Sequence, residues 1–276
     1  MLVMAVSPLT GLAISGQSRM TACARSPLTG AIGDSQCGGF FPAEMRSAAV
    51  DAIVFTGRAP EPVYLWVHDG EAELRPAGHL WGKVTGEVDR LLKAEVGDPK
   101  AEVAQIGPAG ENLVRYAAIM NMVNRANGRT GMGAVMGSKR LKAVVVRGTK
   151  SPKPAQPAEF RGLVKRLKEL QEANPGINWF GQYGTAGVLA IQDKMGGQPT
   201  RNYTEGTFEQ CKDIDGSTMV KTILKERDTC YACVIKCKRV VEVHDPDLEV
   251  DPVYGGPEYE TLTFFGSMCG VGDLKL

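Results

Sequence analysis

One pattern occurs twice in the first half of this chain and constrains its fold more than any other feature. Glycines at 38 and 39 lead into a short helix-like stretch and then a β-rich run at 51–56, and glycines at 131 and 133 lead the same way into a run at 142–147. The two runs even end alike, in Thr56-Gly57-Arg58 and Arg147-Gly148-Thr149. Two copies of a glycine turn feeding a helix and a strand predict a pseudo-two-fold sheet domain, with two similar loops whose backbone N–H groups can approach an anion. The pentapeptide Ser-Pro-Leu-Thr-Gly also repeats, at 7–11 and 26–30. Glycine is plentiful, 33 of 276 residues, as tight turns and close backbone approaches require.

Further β-rich runs lie at 1–6 and 100–106. The clearest hairpin is 63–75: Val63, Leu65 and Val67 alternate with Tyr64, Trp66 and His68, and Asp69-Gly70 supplies a turn tolerant of positive φ. A helix is predicted at 86–96, with Val88, Leu91 and Leu92 on one face. Three prolines within 151–157 read as a linker. Beyond it Phe160, Leu163, Val164, Leu167 and Leu170 follow helical spacing until Asn174-Pro175-Gly176, and helical character resumes at 186–195 and 217–227. The expected architecture is α+β: a sheet domain at 1–150, a linker at 151–157, and an incomplete, mainly helical domain at 158–276.

Charge and cysteine usage narrow the function. Thirty-two basic against 31 acidic residues give +1, too little field to hold nucleic acid or an anionic membrane. No run approaches the roughly 20 apolar residues of a membrane span, and the opening residues lack the basic start of a signal peptide. Seven cysteines, three of them within 230–237, argue for metal ligation in a reducing compartment, hence a cytoplasmic protein.

Those three, Cys230, Cys233 and Cys237, carry the sharpest signal: thiolates two and three residues apart on a turn can reach one iron–sulfur cluster. Zinc would need a fourth close ligand, and Cys211 and Cys269 stand alone; inert core thiols are the remaining reading. The segment 124–133 carries Arg125, Ala126, Gly128 and Arg129, a Gly- and Arg-rich loop suited to phosphate oxygens or to an ordinary turn. It pairs with Gln36, Cys37, Gly38 and Gly39 in the first copy, and neither has a Walker or dinucleotide spacing. Arg19 is a third cationic candidate or a surface charge, and Cys37 a contact or a packed small side chain. His68, His79 and His244 have no ligand spacing. Tyr259 between Glu258 and Glu260 could serve proton transfer, or the acids could simply favour a helix N-terminus.

Together these motifs resemble the tungsten-containing aldehyde:ferredoxin oxidoreductase family. The resemblance runs through Ser-Pro-Leu-Thr-Gly at 26–30, Gly-Gly-Phe-Phe at 38–41, Asp-Ala-Ile-Val at 51–54 and His-Leu-Trp-Gly-Lys at 79–83. It continues through Ile-Gly-Pro-Ala-Gly-Glu-Asn at 106–112, Arg-Ala-Asn-Gly-Arg at 125–129, Gly-Ala-Val-Met-Gly-Ser-Lys at 133–139 and Cys-Tyr-Ala-Cys at 230–233. It implies a tungsten or molybdenum bis-pterin beside a [4Fe–4S] cluster. Arg19 would sit between pterin and cluster, and Gln36 to Gly39 and Arg125 to Arg129 would hold the two pterin phosphate regions. The carbonyls of Gln36 and Ala126 would ligate a bridging Mg2+. Cys230, Cys233 and Cys237 match three iron ligands, and Glu260 with Tyr259 matches catalytic residues near the metal.

The implied activity is oxidation of an aldehyde to a carboxylic acid, with ferredoxin as electron acceptor, and it is compatible with a homodimer of a full-length form. Relatives are much longer, with earlier strands and a fourth cluster cysteine that find no match here, so a truncated, inactive fragment is the expectation. Other readings are a subunit of a related aromatic acyl-CoA reductase and, from a different class, a non-catalytic zinc-binding or scaffold protein.

Overall fold

The computed structural model describes all of residues 1–276. The chain forms two compact units, one of Met1–Val164 with Cys230–Cys233, the other of Lys165–Thr229 with Val234–Leu276.

In the first unit β1 (Leu2–Val6), β2 (Met20–Arg25), β3 (Ile32–Cys37) and β4 (Ala52–Phe55) form an antiparallel sheet in the order β3-β2-β1-β4, with α1 (Phe41–Ser47) between β3 and β4. A six-stranded sheet follows. It contains β5 (Val63–His68), β6 (Glu71–Pro76), β7 (Glu102–Gln105), β8 (Ile119–Asn121), β9 (Arg125–Asn127) and β10 (Leu141–Arg147), in the order β6-β5-β10-β7-β8-β9. Helices α2 (Thr85–Glu95), α3 (Pro108–Glu111) and α4 (Met132–Ser138) complete this part.

The repeat read from the sequence is realised strand for strand. The order β9-β8-β7-β10 reproduces β3-β2-β1-β4, and in both copies the edge strand runs through a glycine turn into a seven-residue helix and then the last strand. Each pairing in the two sets is antiparallel. The hairpin β5–β6 is the addition, attached because β5 pairs parallel with β10. At its tip Asp69 (φ 48°) and Gly70 (φ 97°) adopt the left-handed turn that matches strand twist.

Alternation decides the layers. Leu65, Val67, Val144 and Val146 face a core shared with β1, β2, α1 and α4, while Tyr64, Trp66, Ala143 and Val145 face α2 through Val88 and Leu92. Both faces of β5 and β10 are thus buried, which explains their nearly unbroken apolar runs. Arg147 and Gly148 lock the second copy: Arg147 bridges Glu44 and Asp98, and a Cβ on Gly148 would stand 2.0 Å from the Ser47 carbonyl carbon.

The second unit is built from helices and two short ribbons. After α5 (Pro157–Glu172) come α6 (Pro175–Tyr183), α7 (Val188–Lys194), α8 (Cys211–Ile214) and α9 (Gly216–Thr222). Then β11 (Leu224–Asp228) pairs with β12 (Lys238–Val241), β13 (Val243–Asp245) pairs with β14 (Leu248–Val250), and α10 (Tyr259–Thr261) follows. The helix expected over 217–227 ends at Thr222, because Leu224 takes Val241 as its strand partner. Asn174 ends α5 and also caps α6, accepting the N–H groups of Gly176 (2.9 Å) and Ile177 (3.1 Å), with Pro175 at the first helical position. Ala186, Leu189, Phe208, Ile214, Met219 and Val241 make its core. No helix is long and apolar enough to cross a membrane.

Candidate functional site

The two expected loops meet because β3 and β9, the free edges of their sheets, are tied by side chains. Along β3, Gly33, Ser35 and Cys37 point inward while Ile32, Asp34 and Gln36 are exposed; along β9, Arg125 and Asn127 are buried and Ala126 is exposed. Asn127 Nδ2 donates to the Ser35 carbonyl (2.6 Å), the Arg129 N–H donates to Ser35 Oγ (3.2 Å), and the Cys37 thiol donates to Asn127 Oδ1 (3.0 Å). Asn121 Nδ2 donates to Cys37 Sγ (2.8 Å) and to the Gly38 carbonyl (3.0 Å). Gln36 and Ala126, the residues expected at the bridging cation, are therefore outward positions on two strands held in fixed register, and Gly128 and Arg129 are exposed beside them.

Cys37 was expected at the cofactor, and its side chain lies on the inner side of β3. Burial pushes its thiol up to about 12, although the Asn121 bond and the charges of Arg19 and Arg125 pull the other way. It is a neutral thiol that accepts one hydrogen bond and donates another, so only its main chain is left to face a ligand.

The glycines leave room for the cysteine turn. A Cβ on Gly38 would stand 2.7 Å from Cys230 Sγ, and one on Gly39 (φ +116°) would stand 2.4 Å from Asn121 Oδ1. The Gly39 carbonyl accepts from Ser18 Oγ (2.7 Å) and from the Tyr231 N–H (3.2 Å), while Phe40 meets Tyr231 edge to face at 6.0 Å. Ser15 Oγ donates to Cys233 Sγ (3.5 Å). Arg19 is exposed just before β2, anchored through its backbone to Gln17 and Thr10. Met122 (φ 49°) and Val123 (φ 63°) form the β8–β9 turn, a costly conformation for a β-branched residue, and Met122 Sδ accepts the Phe40 N–H (3.0 Å).

In the second unit Cys237 precedes β12, and Lys238 Nζ donates to Glu258 Oε1 (2.5 Å), which Thr185 also engages through Oε2. Glu258 is the N-cap position of α10, as the helix-start reading of these acids expected; Tyr259 lies at the edge of the core and Glu260 is exposed. No set of three or more His, Cys, Asp or Glu side chains converges as ligands of a single ion. The space that Gly38 leaves is taken by the Cys230 thiol itself, and Cys230 and Cys233 are soft donors of the kind a sulfur-bound group uses.

Sequence reading missed the joint itself: Ser18, Ser35, Asn121 and Asn127. The available signal was polar residues at inward strand positions, such as Asn121 after Ile119 and Asn127 after Arg125. Conversely, two quoted motifs are architectural. Glu111 pairs with the wholly buried Lys142 and accepts the Gly82 N–H (2.7 Å), and Lys142 Nζ also donates to the carbonyls of Ile106 (2.8 Å) and Lys83 (3.2 Å).

Residues 1–148 match the family model described as aldehyde ferredoxin oxidoreductase, N-terminal domain, and residues 162–276 match aldehyde ferredoxin oxidoreductase, domains 2 and 3. The chain belongs to the aldehyde ferredoxin oxidoreductase family. It is 42% identical over 280 residues to the tungsten-containing aldehyde ferredoxin oxidoreductase of Pyrococcus abyssi, covering 99% of this chain and 44% of that one. The namesake of Thermococcus kodakarensis is 41% identical over 274 residues with the same coverage. A solved active-site complex of benzoyl coenzyme A reductase with 1,5-dienoyl-CoA superposes at a TM-score of 0.82 and 29% identity, covering 99% of this chain and 43% of that one. The chain thus spans less than half the length of the curated relatives it matches.

Proposed function

We propose that this chain supplies the pterin and cluster half of a tungsten- or molybdenum-dependent enzyme that oxidises an aldehyde to a carboxylic acid. The observation that carries the reading is the β3–β9 joint, which sets Gln36 to Gly39 and Arg125 to Arg129 side by side. Arg125 and Arg129 with the backbone of Gly38, Gly39 and Gly128 would hold two pterin phosphates, and the Gln36 and Ala126 carbonyls would be the ligands of the Mg2+. Arg19 would sit between pterin and cluster, and Cys230, Cys233 and Cys237 would ligate the [4Fe–4S] cluster. When bound, these groups supply the two-electron chemistry at the metal and one-electron transfer toward ferredoxin.

The balance is aldehyde plus water giving acid, two protons and two electrons. Glu260 accepts a proton through its carboxylate as water oxygen joins the carbonyl carbon, and Tyr259 orients the carbonyl. The boundary between the cofactor domain and the helical domain is the proline-rich segment 151–157.

Reduction of an aromatic acyl thioester is a second reading, favoured by the likeness to the benzoyl-CoA reductase complex. Anaerobic purification followed by elemental analysis for Fe, W, Mo and Zn with a visible spectrum tests the cofactor set. Iron with tungsten or molybdenum supports it, iron alone supports the cluster and not the pterin loops, and zinc alone overturns it in favour of the non-catalytic metal-binding reading. Parallel assays with aldehydes and with aromatic acyl-CoA thioesters separate the two activities.

A further inference from the structure

Helix α5 is the longest helix of the chain, and none of its residues is buried. Its apolar side chains nevertheless form one stripe. Phe160, Leu163, Leu167 and Leu170 recur at spacings of three and four, with Val164 on one flank, so the geometry of the helix itself places them together. None of the five joins a hydrophobic core, and Leu163 and Leu170 are 56% and 60% exposed. A 16-residue helix is marginal in water on propensity alone and is held by whatever covers its apolar face.

The charges on α5 fall into two groups. On the side away from the stripe, Lys165 pairs with Glu169 (3.9 Å) and Lys168 with Glu172 (3.6 Å). Glu159 and Arg166 flank the stripe on the edge opposite Val164, are exposed, and form no ion pair within the chain. Seven residues apart, they are separated by about 10 Å along the axis and cannot meet each other.

A second copy of α5 satisfies the stripe and the two charges together. Laid antiparallel about a two-fold axis at Lys165, Phe160 faces the second copy's Leu170 and Leu163 faces the second copy's Leu167, each contact occurring twice. Glu159 of each copy then comes within reach of Arg166 of the other. Parallel pairing does worse: it stacks Phe160 on Phe160 and sets Glu159 beside Val164 and Arg166 beside Gln171, leaving both charges without a partner. The antiparallel arrangement also aligns the two helix dipoles favourably.

We propose that α5 is the contact surface of a homodimer, in which two copies of this chain pair through an antiparallel helix contact. Phe160, Leu163, Leu167 and Leu170 form its centre, and two Glu159–Arg166 pairs form its edges. The same surface is used on both copies, so the assembly closes at two.

The test is sedimentation equilibrium of the 276-residue chain over a concentration series in reducing buffer, repeated with R166E, E159R and the double variant E159R/R166E. These positions are exposed and outside every core, and far-UV circular dichroism checks that each variant folds. Wild type is expected to form a dimer. Each single substitution sets like charges against each other twice and should weaken the dimer about tenfold; the double variant, which reverses both charges, should return to the wild-type dissociation constant. A wild-type chain that stays monomeric throughout, or that assembles beyond a dimer, overturns the proposal. So do single variants that dimerise as tightly as wild type, or a double variant no tighter than the single ones.

Discussion

Burial, more than any neighbouring charge, sets the chemistry of Cys37, Cys211 and Glu102. The thiols of Cys37 and Cys211 are each pushed up to about 12 by burial, whereas Cys269 is exposed. Iodoacetamide at pH 8.5 is expected to alkylate Cys269 and spare Cys37 and Cys211, as peptide mass spectrometry would read; prompt labelling of Cys37 would contradict its placement. Glu102 is the acidic counterpart: burial lifts its carboxyl from 4.5 to about 7, with Lys93 opposing and Asp89 and Glu44 reinforcing. Between those two values the unfolded chain has released a proton that the folded chain keeps. The unfolded state then binds fewer protons, so stability falls as pH rises from 4.5 to 7 and levels off above. Glu102→Gln should abolish that slope and, in urea melts at pH 8, leave the variant more stable by up to about 3 kcal/mol. An unchanged slope would reject this account.

At the scale of elements, the joint between β3 and β9 matters most, and it was the least legible. The hairpin 63–75 was plain because Val63, Leu65 and Val67 alternate with Tyr64, Trp66 and His68 before the Asp69-Gly70 turn, and α2 because Val88 and Leu92 recur on one side. Strand β3, with Gly33, Ser35 and Cys37 inward and Asp34 and Gln36 outward, shows no hydrophobic alternation, so its strand character comes from pairing with β2 and from hydrogen bonds to Asn127. No local signal in residues 32–37 reports a partner some 90 positions away. Asn127→Ala would strand the buried Ser35 carbonyl and the Cys37 thiol, at a cost of about 2 kcal/mol, read as a lower denaturation midpoint. Gly39→Ala forces a side chain onto Asn121 at φ +116°, for a loss of about 1–3 kcal/mol. Wild-type melting of either variant would mean that the joint does not hold the loops.

For the molecule as a whole, the duplicated glycine turns predicted the pseudo-two-fold plan, and family likeness accounts for motifs that local physics alone could not interpret. The Glu111–Lys142 pair shows why: its two residues sit in separate segments, and only the fold makes Lys142 fully buried with a carboxylate to meet it. Arg239 was equally silent, because the carbonyls that accept from its buried guanidinium come from α6 and from the cysteine loop. Residues 151–156 carry neither helix nor strand. Limited proteolysis with subtilisin should therefore cut there first and leave two resistant pieces, whereas early cuts scattered through α6 or α7 would argue against two separately cohesive units.

The composition of the first unit also fixes an order of events during synthesis. Its last strand ends at Arg147, yet Cys230–Cys233, which close against Gly38 and Gly39, belong to it as well. A ribosome adding 5–20 residues per second needs about 4–17 s to cover the intervening stretch. During that interval both β-meanders can pair through short-range hairpins, while the glycine loop waits for its thiols. Loading of the proposed cluster therefore waits for cysteines made long after the last strand of the sheet platform.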